Sequence, residues 1–452
     1  MGRQRKTRRV SARKSNAATP RELYRHSLVE AIGKWLPSQF FAKWPVVKGR
    51  KWRPQRVVWL GVLMAWSAEQ SLQARFAAVT DVAKKLFPKW SLGKTYTGWY
   101  EAQAKWIGPL KPAMAKRLQR EMQAMAGNHW QREGWCAFAV DGSRVECPRT
   151  AANEKALGCA GREKTGPQLF VTTLWHMGLG LPWDFRTGPG TASERRHLEE
   201  MLPGLPAKSL VVADAGFVGY DLCQRILVAQ QNFLLRVGAN VRLLRKLGYV
   251  KCEGRDTVYL WPDKRQRELP VVLRLIHLKR GHKSVYLVTN VRAAHALSIA
   301  SAGRLYEMRW GIEVFYRSLK QTLQKRKMLS HTPAAAEQEL TWMMFGLWLL
   351  GLMTVAKMVA RGAEPLSWSA ALARDRVRRS MRLALQGRSQ DRALLRDLGR
   401  ARKDAYQRHG SKKARNWPHK KKDKPPGAPK LLLADAQQQR AAQRVKAKQA
   451  AA

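Results

Sequence analysis

An α/β fold with a mixed sheet, carrying a β-rich insertion and flanked by helical regions on both sides, is the architecture this chain of 452 residues predicts. Three observations lead there. Short apolar runs ending in Asp or Gly alternate with helix signals from about 135 to 240. A second set of strand-like runs, separated by basic turns, fills 240–300. Helical periodicity dominates on either side. The length suits two or three domains, and an apolar content of 45% fits a folded chain.

The elements follow in order. Residues 1–20 form a basic arm, expected to be disordered and able to track phosphates. A helical, DNA-binding region is expected over 21–130, with apolar periodicity through Val57–Trp66 and Leu72–Leu86 and with Pro37, Pro45, Pro54, Pro88, Pro109 and Pro112 as punctuation. Its lysines and arginines recur beside Trp90, Tyr96, Trp99 and Tyr100, which suits either phosphate and base contacts or a basic surface over buried tryptophans.

A core follows over 131–239. Trp135–Val140 reads as a strand ended by Asp141-Gly142, Leu169–His176 as a second, and Leu181–Arg186 as a third. Thr191–Leu202 reads as a helix capped by Ser193 or Thr191 and stopped by Pro203. Ser209–Ala213 is a buried-type strand ended by Asp214, followed by a helix from Tyr220 to Ala229 and a strand over Asn232–Val237. The insertion at 240–300 contributes Thr257–Trp261, Pro270–His277 and Ser284–Asn290, with basic turns such as Lys279–Lys283. Residues 301–330 form a core helix, 331–400 a helical C-terminal region, and 401–452 a basic tail expected to be disordered. The apolar run Trp342–Ala356 is shorter than a bilayer span and reads as a buried helix, so no membrane partner is expected.

Charge narrows the partner. Lys and Arg number 84 against 32 Asp and Glu, a formal net charge of +52, so a polyanion is expected and nucleic acid is the commonest one. Each carboxylate then carries weight, because an acidic group at a DNA-facing strand end opposes binding unless it holds a cation. The five cysteines show no Cys-x-x-Cys pair, as in a reducing cytoplasm, and the basic N-terminus lacks the apolar stretch of a signal peptide.

Three carboxylates stand out. Asp141 and Asp214 end strands, and Glu313 lies in the run from Tyr306 to Lys320, which reads as one amphipathic helix. On a wheel of about 100° per residue, Tyr306, Arg309, Glu313 and Lys320 share an arc of roughly 60°. Met308, Ile312, Phe315, Leu319 and Leu323 share a neighbouring arc that suits a core. Singly, each carboxylate has an ordinary reading, as turn chemistry or as a solvated charged stripe. Together they provide what two-metal phosphoryl transfer requires: oxygen ligands that hold two magnesium ions and leave positions for water and phosphate.

Phe138-Ala-Val-Asp141-Gly-Ser, Val211-Val-Ala-Asp214-Ala-Gly-Phe and Tyr306-x2-Arg309-x3-Glu313-x6-Lys320 resemble the DDE transposases of the insertion sequence four type. The spacing of Tyr, Arg, Glu and Lys is a signature of that family, and the similarity spans roughly 135–325. The resemblance implies an RNase H-like core and cut-and-paste transposition. In it Asp141, Asp214 and Glu313 bind two magnesium ions, with manganese as a substitute, and Tyr306, Arg309 and Lys320 contact DNA. It implies double-stranded DNA as partner, both element ends and target, a homodimer in a synaptic complex, and a cytoplasmic, nucleoid-associated protein of a prokaryote.

Two departures matter. Ala215 stands where many relatives have a basic residue after the second Asp. No single aromatic marks the insertion residue that some relatives use to stabilise a flipped base during hairpin formation; Tyr259, Trp261 and Tyr286 are the candidates. The alternatives to transposition are a DNA-binding protein that has lost catalysis and a metal-dependent nuclease without strand transfer.

Overall fold

The computed structural model describes residues 27–45, 49–159, 166–280, 283–324, 327–387, 393–404 and 427–451. The basic arm at 1–20 and residues 405–426 of the expected basic tail lie outside those residues.

Five helices come first: α1 (Ser27–Gly33), α2 (Ser38–Phe41), α3 (Pro54–Trp66), α4 (Leu72–Leu86) and α5 (Tyr96–Ala126). Pro54 opens α3, where a missing N–H costs nothing, and Ser71 and Thr95 cap α4 and α5 by accepting from the N–H of Ala74 and Gly98. Pro109 and Pro112 do not punctuate: both lie inside the 31-residue α5. An interior proline costs about 3 kcal/mol. Burial of Leu110, Met114, Leu118 and Met122 on the same helix offsets it, at roughly 1.5–3 kcal/mol per side chain.

The sheet is built from β1 (Ala137–Glu146), then, after α6 (Ala151–Leu157), from β2 (Gln168–His176) and β3 (Leu181–Pro189). Helix α7 (Glu194–Met201) leads to β4 (Leu210–Ala213), and α8 (Tyr220–Val228) leads to β5 (Asn232–Val237). Strands β6 (Arg242–Arg245), β7 (Thr257–Leu260), β8 (Val271–Arg280) and β9 (Lys283–Thr289) complete the insertion. Beyond it lie α9 (Ile299–Met308), α10 (Gly311–Arg317), α11 (Pro333–Val359), α12 (Ala370–Leu385), α13 (Leu394–Leu398), β10 (Lys430–Leu433) and α14 (Ala436–Ala451).

Among the described residues the strands form one ten-stranded sheet, ordered β10-β6-β7-β8-β9-β5-β4-β1-β2-β3. Strands β1, β4 and β5 run parallel, β2 is antiparallel to both β1 and β3, and this five-strand half is the RNase H-like arrangement. The insertion is not a separate sheet. Its β9 pairs antiparallel with β5, Leu234 opposite Thr289, so the insertion continues the core sheet outward.

The expected disorder after 401 gives way to structure at the far end. Strand β10 adds in parallel to β6, Lys430 opposite Arg242. Helix α14 then lies on the insertion through Tyr249 Oη donating to Gln449 at 2.9 Å and Gln443 donating to the Gly248 carbonyl at 2.6 Å. An Ala/Gln-rich composition reads as low complexity, but both residues are strong helix formers, and Ala442 is fully buried. The added strand also covers an edge that would otherwise be open.

Helix α11 joins the halves of the molecule. The Trp66 indole donates to the Gly346 carbonyl at 2.9 Å, and the Trp348 indole points to Met122 Sδ at 3.1 Å. Phe185 of β3 meets Phe345 edge-on, 5.4 Å between ring centres. By length and hydropathy α11 is a candidate membrane span, but 83% of the apolar window is buried inside the protein, as expected of a core helix.

Candidate active site

Asp141 does not end its strand. Strand β1 pairs with β2 as far as Glu146, and Asp141 stands opposite Thr173. What ends is the parallel pairing with β4, whose last pair is Ala139 with Val212. Asp141 and Asp214 each stand two residues beyond that pair, on adjacent parallel strands. Sequence separation of 73 residues thus becomes lateral adjacency. Asp141 Oδ1 accepts from the Gly142 N–H at 2.9 Å; Asp214 Oδ1 accepts from the Gly216 N–H at 2.9 Å and caps the short turn Ala215–Phe217.

The single helix expected over 306–320 is broken. Helix α9 ends at Met308 and α10 begins at Gly311, with Trp310 exposed between them. Between them the Trp310 and Ile312 N–H groups bond three residues back, to the Glu307 and Arg309 carbonyls, and the Gly311 backbone lies against Trp175 of β2, where an added Cβ would come within 2.1 Å. A wider turn follows, with the Leu323 N–H reaching the Ser318 carbonyl at 3.1 Å. Tyr316, which the sequence reading did not single out, anchors α10 to β1: its buried hydroxyl donates to the Asp141 carbonyl at 2.8 Å.

The break does not scatter the four signature residues. Arg309 lies over the Tyr306 ring at 5.6 Å and brings its Nη2 to 3.5 Å from Glu313 Oε1. Asp141, Glu313, Arg317 and Lys320 line one cleft of about 380 Å³ with Gly142 and Tyr316. Burial pushes the Asp141 carboxyl up to about 6; Asp214 and Glu313 add to the rise, while the Gly142 N–H and Arg309 oppose it. Glu313 is raised by burial against the pull of Arg309 and Arg317, with Asp214 adding to the rise. Among the described residues no three carboxylates, histidines or cysteines close into a ready-made metal shell. The Asp141 and Glu313 carboxylates line the cleft, and carboxylate oxygen is the ligand chemistry that suits magnesium.

Two further residues border this centre. Glu194, in the first turn of α7, is pushed up to about 7 by burial and then by Asp141 and Asp214. Arg195 donates from Nε to the Gly216 carbonyl at 2.8 Å and from Nη2 to Val218 at 2.9 Å, clamping the turn after Asp214. Neither was legible beyond the helix start at Ser193, because no local spacing ties that start to Asp141. Of the insertion aromatics, Tyr259 and Trp261 are buried and bonded to Glu253 and the Glu268 carbonyl, so neither is open to a base. Tyr286 remains half-exposed, stacked on His277 with ring centres 4.4 Å apart.

Residues 133–349 match the family described as the transposase DDE domain. The transposase InsG of insertion sequence element IS4 from Escherichia coli is 28% identical over 321 residues, covering 66% of this chain and 71% of its own. Over these residues the chain is similar to DDE transposases of the insertion sequence four type. A putative transposase, y4zB, of Sinorhizobium fredii is 29% identical over 138 residues, 28% of this chain and 38% of that one. Among solved structures, a piggyBac transposase synaptic complex with hairpin DNA aligns over 86% of each chain, at 10% identity and a TM-score of 0.40.

Proposed function

We propose that this protein cuts its element out of double-stranded DNA at terminal inverted repeats and joins the freed 3′-OH ends to target DNA. In this reading Asp141, Asp214 and Glu313 hold two magnesium ions, which manganese can replace; the ions supply activation of the attacking oxygen and stabilisation of the leaving one. Arg309 and Lys320 grip the phosphates beside the cut bond, and Tyr306 braces the Arg309 guanidinium. The observation that carries the reading is the shared cleft of Asp141 and Glu313, from residues 172 apart in sequence, bordered by Arg317 and Lys320. Arg309 adds support through its contact with Glu313, which sets a cation beside the carboxylate that lines the cleft.

The helical region over 21–130 is the candidate reader of the ends, and the insertion a second DNA contact through its exposed cations. Two copies would pair the ends in a synaptic complex, in the cytoplasm and on the nucleoid. Tyr286 is the insertion aromatic left for a flipped base, should a hairpin form.

The test is incubation of the full chain with DNA ending in the inverted repeats that flank its gene, with and without Mg²⁺. Nicks, hairpins and strand-transfer products are scored separately. Metal-dependent cleavage followed by joining is expected. Cleavage without joining would point to the nuclease alternative, and binding with no cleavage to a protein that has lost catalysis.

A further inference from the structure

We propose that Glu194 is a fourth carboxylate of the metal site, facing Asp141 and Asp214 from the start of α7. The inference rests on the two-ion reading above and adds a residue that no spacing in the family signature contains.

Position is the first argument. An ideal Cβ built at Gly142 would lie 2.5 Å from Glu194 Oε1 and 2.3 Å from Phe170 Cζ. The carboxylate therefore lies against the backbone next to Asp141. This gives Gly142 a reason other than turn chemistry, since it sits inside β1 opposite Thr172.

Attachment is the second. The residue after Glu194 is Arg195, whose two bonds to the carbonyls of Gly216 and Val218 fix α7 to the Asp214 turn. Ser193 caps the helix by accepting from the Arg196 N–H at 3.4 Å. The start of α7 is thus bound to one aspartate's loop while Glu194 reaches the other aspartate's strand.

Charge is the third. Among the described residues no hydrogen bond or ion pair is made by the Glu194 carboxylate. The cations beside it are occupied: Arg195 as above, and Arg144 by the Gly190 carbonyl at 3.1 Å and the face of Phe170 at 4.9 Å. In a chain with 84 basic residues, a carboxylate set between two others and left without a paired cation is costly unless a cation arrives with function. A divalent ion bound at Asp141 and Asp214 supplies it, taken either directly or through a bound water.

The test measures metal binding without DNA or turnover. Mn²⁺ affinity of the full chain is titrated by calorimetry, and the melting temperature is read in EDTA and in Mn²⁺, for wild type, Glu194→Gln, Asp141→Asn and Glu200→Gln. Glu200, exposed on the same helix, is the control for charge alone. Glu194→Gln is expected to weaken Mn²⁺ on the order of tenfold or more. It should shrink the Mn²⁺-induced rise in melting temperature, and leave the EDTA value equal or higher. Glu200→Gln should match wild type. Wild-type affinity in Glu194→Gln, with loss in Asp141→Asn, overturns the inference and leaves the two-ion reading intact. Wild-type affinity in both overturns that reading as well. As a check needing no variant, Fe²⁺-generated hydroxyl radicals should cut the wild-type backbone near 194 as well as near 141 and 214. Cuts at the aspartates without one at 194 would also overturn the inference.

Discussion

In the β3–β5 half of the sheet four carboxylates gather at one place; in the β9–β10 half the described lysines and arginines mostly stand in solvent. Asp141, Asp214, Glu194 and Glu313 crowd together where β1 and β4 part, and burial raises three of them. In the outer half Lys251, Arg255, Lys264, Arg267, Lys279 and Arg292 are all exposed. A deeply buried cation there, Arg274, is tied to the carbonyls of Arg292 and Leu297. One continuous sheet thus carries a carboxylate-bearing cleft where β1 and β4 part and a cation-rich surface in its outer half. Under the proposed function the difference separates two tasks: chemistry needs carboxylates desolvated and close, whereas holding a polyanion needs cations solvated and spread.

The largest effect expected concerns the positive half. DNA affinity should fall about a thousandfold or more between about 50 and 200 mM salt, read by fluorescence anisotropy, and reversing the charge of Lys251, Arg255 and Arg267 together should flatten that slope. A slope untouched by the triple change would place the DNA grip elsewhere. Next, Arg309→Ala and Lys320→Ala should each slow end cleavage about a hundredfold in single-turnover assays, with much smaller losses of end affinity. Equal losses of rate and affinity would mean that these residues bind DNA generally, and would blur the division between the halves.

How much of this division was legible in the sequence depends on the span over which each feature is fixed. The strand runs around Asp141 and Asp214, the helix start at Ser193 and the buried α11 were legible, since local periodicity and capping set them. Asp141 inside β1 was not, because where a parallel neighbour leaves a strand is a tertiary fact. The interruption at Trp310–Gly311 was hidden as well, since no local pattern in the run from Tyr306 to Lys320 marks it, and Gly311 packs on Trp175, 136 residues earlier. The four signature residues nonetheless kept their face, since the break falls between turns. Strand β10 and α14 escaped notice because their partners lie almost 200 residues upstream. Glu194 has no spacing relation to the triad at all.

A smaller effect is expected from removing residues 427–452. This exposes the β6 edge, so hydrogen exchange should rise in β6 and β7 while β1 and β4 stay protected. Uniform deprotection would show the two halves to be one cooperative unit. Smallest is the pH effect of Asp141. Its folded value of about 6 lies above the ordinary 3.8, so the native state favours the protonated form. That contribution is complete below about pH 4 and is lost as pH rises through about 6. Metal-free wild type should therefore lose stability across this window relative to Asp141→Asn, by thermal melting, and Mg²⁺ should remove most of the loss. Parallel pH curves for the two proteins would mean that Asp141 is solvated rather than crowded.

The most direct test of the central claim, that three distant carboxylates make one cleavage centre, is to compare Asp141→Ala, Asp214→Ala and Glu313→Ala in Mg²⁺-dependent cleavage of end DNA. All three are expected to lose cleavage completely while binding the ends nearly as wild type does. Full cleavage by any one of them would contradict the account.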